Sequence, residues 1–367
     1  MERYGFETMT GTVKHTHWSQ WRCPSNIALV KYWGKRDFQK PMNPSLSFVL
    51  QNAFTETLVE LHKDGDQKVE FYFEGAASSF GERIEKYLGH ISCKLPWVTK
   101  YNFTIRSQNS FPHSAGIASS ASSFGALALC LTELDFLLSG KVIGGPVFWQ
   151  KASELARIGS GSACRSVYPG FALWGKTQLF ESSGDEYAIL VSEGVHPDFY
   201  TLRDAILLVD SGPKEVSSSA GHQLMDEHIF QRSRIAQAHE NINELYLALL
   251  TGNREKFISV VENEALSLHA MMMTSNPSFI LLKPNSLEII YRIRRFRGKS
   301  KIPVCFTIDA GPNIHLLYFQ ENELDVKAFI ERELLEFCEN GNWIDDQIGT
   351  ASPQPPPKEG ALRTDLR

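Results

Sequence analysis

The 367-residue chain carries 37 basic and 42 acidic side chains, a net charge of -5, with 43% hydrophobic and 22% charged residues. That length suits about two domains, each able to bury its own core. The acidic balance excludes an overall basic footprint for nucleic acid or an acidic membrane, so any anion site must be local.

Residues 1–21 are polar and mixed, without a signal-peptide core, and the arm to about Gln20 has no strong period. No run reaches the ~18 apolar residues of a membrane span. The six cysteines (Cys23, Cys93, Cys130, Cys164, Cys305, Cys338) lack C-x-x-C spacing, which argues against zinc or a disulfide framework. A cytoplasmic protein with reduced thiols is expected.

A short apolar run from Cys23 ends in Lys31-Tyr-Trp-Gly-Lys-Arg-Asp37. After the turn-like Pro41–Ser47, Phe48–Leu50 and Thr55–Leu61 read as a pair of strands, and Lys68–Phe73 as another. Helical spacing covers Glu82–Ile91, and a strand pattern covers Tyr101–Arg106. Next comes Asn109-Ser-Phe-Pro-His-Ser-Ala-Gly-Ile-Ala-Ser-Ser120, feeding an apolar helix from Ala121 to Leu138. Its small residues allow close backbone approach, and a helix N-terminus offers unpaired N–H groups and a positive dipole end, which suits phosphate. Serine and glycine also cap ordinary helices, and the Walker pattern is absent.

A helix over Phe148–Ile158 runs into Gly159-Ser-Gly-Ser-Ala-Cys-Arg-Ser166, followed by Val167-Tyr168, a Pro-Gly turn and Phe171-Ala-Leu-Trp174. Ala205–Val209 reads as a buried strand, and Lys214–Gly221 is a third serine-rich turn. His222–His269 is mostly helical with a break near Thr251–Asn253, and Ser286–Phe296 is helical. Strands Pro303–Ile308 and Ile314–Phe319 flank the turn Asp309-Ala-Gly-Pro-Asn313, and Val326–Phe337 reads as a last amphipathic helix. Antiparallel-type strands mixed with helices favour an α+β class. The reading gives domains of 1–200 and 201–345 and a tail, 346–367, too poor in apolar residues to order.

Lys31 ends an apolar run beside Tyr32 and Trp33, which points it into a cleft rather than onto a solvated face. Ser160, Ser162 and Arg165 combine hydroxyls with a forked guanidinium, a set suited to phosphate or carboxylate. Asp309 lies where an apolar strand meets a tight turn, which would fix its carboxylate at a cleft edge. His113, His269 and His315 lack partners at ligand spacing and read as core or surface histidines.

Taken together, these segments resemble the diphosphomevalonate decarboxylases of the GHMP kinase superfamily. The resemblance rests on Ser25–Asp37, Asn43–Ser47, Ser110–Ser120, Gly159–Ser166, Val216–Ser218 and Phe306–Asn313, in family order. It implies a two-lobed α+β fold of GHMP-kinase type with the active site between the lobes. The implied reaction converts ATP and mevalonate 5-diphosphate to isopentenyl diphosphate, ADP, phosphate and carbon dioxide, with Mg²⁺ on the nucleotide phosphates and no metal ligand assigned to the protein. By the same resemblance Asp309 and Lys31 are catalytic. Tyr32, Lys35, Arg83, Ser160, Ser162 and Arg165 would hold the substrate. Ser110, Pro112, Ser114, Gly116, Ala118, Ser119, Ser120, Ser217 and Ser218 would hold ATP.

A homodimer is implied as well. The helix led by His269 matches a family segment whose role stays open. His113-Ser114 departs from the small or threonine pair expected there, and the proline-rich tail has no counterpart. The alternatives are a GHMP-family kinase that stops after phosphorylation, a decarboxylase acting on mevalonate or its monophosphate, and an inactive binding protein on the same fold.

Overall fold

The computed structural model describes residues 17–63, 68–78, 80–111, 119–212 and 218–355. Two mixed layers of helix and sheet follow one another along the chain. The first sheet is built on one long strand, β2 (Ser45–His62), which pairs antiparallel with β1 (His17–Ala28) along one edge. Its other edge is shared between β4 (Asn102–Asn109) and β5 (Phe171–Trp174). Strand β3 (Val69–Phe73) runs parallel to β4, and β6 (Ala188–Val191) completes the sheet beside β5. The second sheet is antiparallel, in the order β8 (Cys305–Thr307), β9 (Ile314–Phe319), β7 (Leu202–Leu207), β10 (Trp343–Gln347).

One face of the first sheet is covered by α1 (Gly81–Ile91), α2 (Ser119–Leu138) and α3 (Pro146–Gly159). Helix α2 is apolar all round because it is a core helix. It is long and apolar enough to cross a membrane, contrary to the expectation that no segment would be, but 78% of that window is buried inside the protein. Helices α8 (Pro284–Ser300) and α9 (Glu323–Phe329) pack on the second sheet. A third core joins the halves: Ile27, Leu46 and Phe48 of the first sheet pack with Leu202 and Ile206 and with α6 (Gln231–Thr251) and α7 (Arg254–Met273). The expected break in the long helical region is the α6–α7 junction, with Gly252 in the left-handed conformation that ends α6.

Three expectations need correction. The strand pair 48–50 and 55–61 is a single strand, Ser45–His62, in which the exposed Gln51 and Asn52 sit where the register to β1 shifts between Pro24 and Asn26. The last helix gives way at Ile330 to a π-helical turn and then a 3₁₀ turn ending at Phe337. Residues 346–349, assigned to the tail, are packed, and the more exposed stretch to 355 is still tied down: Asp346 accepts from the N–H groups of Gln51, Asn52 and Ala53, and Gln354 O accepts from Arg22 N at 3.1 Å. A single buried carboxylate satisfying these three N–H groups and that of Gln347 is not visible in composition. Residues 356–367 lie outside the described residues.

Candidate active site

Lys31 leaves the first sheet just after Leu29 and Val30 have donated to Leu46 O at 2.8 and 3.1 Å. Asp309 follows β8 and stands at the head of a turn whose Asn313 side chain accepts from Val209 N and Asp210 N at 2.8 and 3.0 Å. The two side chains meet: Lys31 Nζ lies 2.6 Å from Asp309 Oδ1, with Lys31 2% and the Asp309 side chain 29% exposed. Burial pushes the Lys31 ammonium below its ordinary pKa, while Asp309 opposes that shift. The carboxylate thus has one oxygen on a buried cation while its side chain stays partly exposed.

Beside this pair lies Arg165, in the short helix α4 (Ala163–Ser166), 1% exposed. One guanidinium nitrogen donates to Ser45 Oγ, the Nε has no hydrogen-bond partner, and the group sits 5.7 Å from the Tyr32 ring centre. Among the described residues no carboxylate forms an ion pair with Arg165. A buried guanidinium with no ion-pair contact, eased by the more distant charge of Asp309, is costly, so an anionic ligand would complete it. Tyr32 is held edge-on to Trp174 (5.0 Å) and stacked on His222 (4.7 Å) of α5 (Ser218–Gln223), whose Nδ1 accepts from Gly34 N at 3.0 Å. His222 stays neutral, since burial and the charge of Lys35 push its pKa well below the usual value. Gly161 has to be small: a Cβ there would come within 2.8 Å of the Trp174 ring and 3.0 Å of the Tyr32 hydroxyl.

Lys35 is half-buried, and burial with the nearby charge of Arg83 lowers its pKa to about 8. Arg83, on α1, lies over the rings of Phe80 and Phe124 at 5.2 and 4.9 Å, and burial lowers its pKa too. Ser160 caps α3, and its hydroxyl is 3.2 Å from that of Ser120 in the first turn of α2. Ser119 opens α2, and Ser162 turns its carbonyl to Asn26 Nδ2 at 3.1 Å. Thus Lys31 meets Asp309, and Arg165 lies near both and against Tyr32. Lys35 feels Arg83, and Ser160 adjoins the start of α2, whereas Ser162 is fixed here only through its backbone.

Ser110 differs. Its hydroxyl accepts from Phe54 N at 2.9 Å and donates to Asn52 O at 2.6 Å, which ties the start of its loop to β2. Pro112, Ser114, Gly116, Ala118 and Ser217 lie outside the described residues, as does His113; Ser218 begins α5. His269 and His315 are both buried. His315 pairs with Asp204 at 2.7 Å, away from the cleft, but His269 Nε2 is 3.1 Å from Asp309 O and belongs to the site's surroundings.

The site has further members that sequence reasoning passed over. Asn43 donates to Lys31 O at 3.0 Å and accepts from Trp33 N at 3.2 Å. Glu264 and Arg234 hold the Lys31 backbone from α7 and α6. Asn43 and Ser45 stood in a quoted motif that could have flagged them. Glu264, Arg234 and His222 lie in helices where a charged or polar residue normally reads as solvated surface.

A two-lobed mixed fold with a serine-flanked helix N-terminus beside a cationic cleft defines a GHMP-type protein. Residues 23–185 match the diphosphomevalonate decarboxylase-like N-terminal domain, and 205–357 match the mevalonate 5-diphosphate decarboxylase C-terminal domain. The diphosphomevalonate decarboxylase of Debaryomyces hansenii is 31% identical over 325 residues, covering 84% of this chain and 81% of that protein. The crystal structure of mevalonate diphosphate decarboxylase from Staphylococcus aureus superposes with a TM-score of 0.81 at 28% identity, covering 93% of this chain and 98% of that one. A structure of MDDEF in complex with MVAPP, AMPPCP and magnesium gives 0.80 at 27% identity, covering 93% and 99%. The chain belongs to the diphosphomevalonate decarboxylase family.

Proposed function

We propose that this protein catalyses the ATP-dependent decarboxylation of mevalonate 5-diphosphate to isopentenyl diphosphate, with Asp309 and Lys31 as its catalytic pair. The observation that carries this is the buried Lys31 ammonium 2.6 Å from Asp309, beside the buried guanidinium of Arg165, whose Nε has no hydrogen-bond partner. Phosphorylation of the 3-hydroxyl needs a group to orient that hydroxyl and take its proton, and Asp309 presents a carboxylate edge for it. When the new phosphate leaves and the substrate carboxylate departs, positive charge develops at C3. A carboxylate fixed in advance by Lys31 opposes that charge without reorganising.

Arg165, with Ser160 and Ser162, receives an anionic end of the substrate, because a guanidinium lacking its counter-charge gains most from one. Tyr32 presents its ring to Arg165 at 5.7 Å. Lys35 and Arg83 extend the cationic surface for the diphosphate. Ser119 and Ser120 at the α2 N-terminus, with Pro112, Ser114, Gly116, Ala118, Ser217 and Ser218, take the ATP phosphates. Ser110 anchors that loop. Mg²⁺ bound with the nucleotide would neutralise phosphate charge there. A homodimer and a cytoplasmic location belong to the same proposal, and sedimentation of the purified protein tests the first.

The test is to incubate the enzyme with ATP, Mg²⁺ and, in turn, mevalonate, its monophosphate and its diphosphate, measuring ADP and carbon dioxide. Equal yields of both products from the diphosphate are expected. ADP without carbon dioxide would make the protein a kinase, and preference for the monophosphate would change its substrate.

A further inference from the structure

One helix, α7, holds the backbones of both members of the Lys31–Asp309 pair. Lys31 lies beyond the end of β1, so its buried N–H and C=O must find partners outside the sheet. Glu264 of α7 accepts from Lys31 N at 2.8 Å. Arg234 of α6 donates to Lys31 O at 2.8 Å while bonding both oxygens of Glu264, at 2.9 and 2.5 Å. Asn241 adds a donor to Glu264 at 2.5 Å. Five residues further along α7, His269 lies with Nε2 3.1 Å from the Asp309 carbonyl oxygen. Glu264 is 0%, His269 2% and Arg234 3% exposed.

We propose that Glu264 and His269 are positioning residues that make α7 the gauge setting the Lys31–Asp309 geometry, an inference that rests on the function proposed above. Attraction between an ammonium and a carboxylate is weakly directional, and a lysine side chain is long and flexible. The pair alone does not aim the Asp309 carboxylate at a hydroxyl. Two backbone tethers from a single rigid helix do. A buried ion pair such as Arg234–Glu264 also adds little stability over apolar packing. Its contacts to the N–H and C=O of one residue fit a role in fixing that residue. The Nδ1 of His269 has no partner, and burial lowers the pKa of His269 to about 4. The ring is therefore neutral at working pH, with its proton on Nε2, where it donates to Asp309.

The experiment compares His269→Phe, His269→Gln and Glu264→Gln with wild type in the full-length enzyme. It reads kcat, KM, single-turnover rate, and affinity for ATP and substrate by calorimetry. Displacements of an ångström are enough to slow chemistry by roughly a hundred-fold. His269→Phe should lose roughly ten- to a hundred-fold in single-turnover rate with affinities unchanged. His269→Gln, which keeps an N–H donor of similar reach, should recover most of that loss. Glu264→Gln leaves Arg234 without its counter-charge and should lower both stability and kcat. A wild-type rate in His269→Phe would overturn the inference, as would equal losses in the Phe and Gln variants accompanied by loss of affinity. If wild type itself released no carbon dioxide from mevalonate 5-diphosphate, the functional reading would fail and take the inference with it.

Discussion

Lys31 and Asp309, 278 residues apart in sequence, meet at 2.6 Å with the lysine almost wholly buried. A lysine is rarely buried without a partner, because desolvation disfavours its charge. The pair therefore ties the segment after β1 to the turn after β8.

Replacing Arg165 by lysine keeps a charge but loses the fork and the guanidinium plane beside Tyr32. Loss of a charge-assisted contact costs about 1.5–3 kcal/mol, so kcat/KM should fall roughly ten- to a hundred-fold. Steady-state kinetics read this directly; unchanged constants would remove Arg165 from the site.

Lys35 offers a proton-linkage test. Its pKa of about 8 in the free protein means that near pH 8 a substantial fraction is neutral. A bound diphosphate favours the ammonium, so binding at pH 8 should draw a proton from solution. Calorimetry in two buffers of different ionisation enthalpy measures that uptake. Lys35→Met should abolish it and Lys35→Arg should abolish it while retaining affinity. For stability the sign is set by the lowered pKa: between about 8 and the ordinary lysine value near 10.4, the unfolded chain holds more protons than the folded one. Lys35 therefore favours folding increasingly as pH rises through that window.

Motifs made the site legible wherever its residues cluster in loops. Lys31, Tyr32, Lys35, Ser160, Ser162, Arg165 and Asp309 all lie where small residues and turns interrupt apolar runs, and the fold brings them together. What escaped was buried polarity inside regular elements. Ser19, buried in β1, donates to the buried Glu133 at 2.5 Å, so the alternation of β1 did not read as a strand at its start. Strand β10 was missed because Asp345 and Asp346 break its apolar pattern, although Asp346 is buried on the backbone of β2. Arg234, Glu264 and His222 share that character: each is polar, helical and satisfied by a residue far away in sequence.

Acid should destabilise the protein partly through His269. Its folded pKa of about 4 lies below the unfolded value near 6.5, so between those pH values the unfolded chain binds the extra proton. Stability from this residue is present above about pH 6.5 and is lost as pH falls towards 4. His222 acts in the same direction. Asp346 acts in the opposite one, since burial raises its pKa to about 6. The thermal midpoint of His269→Gln should fall less steeply than wild type between pH 6.5 and 4. Parallel curves would mean that His269 does not titrate as its burial requires.

The catalytic pair is tested most directly by Asp309→Asn, which keeps the shape and removes the charge. Calorimetry should find ATP and mevalonate 5-diphosphate bound nearly as in wild type. Carbon dioxide release should fall by roughly 10²–10⁴, the scale of one positioned acid–base group. Lys31→Met should also slow release, and the double variant should lose less than the two single losses combined, since the groups act as a unit. Near-normal carbon dioxide release from Asp309→Asn, with binding intact, would contradict the account.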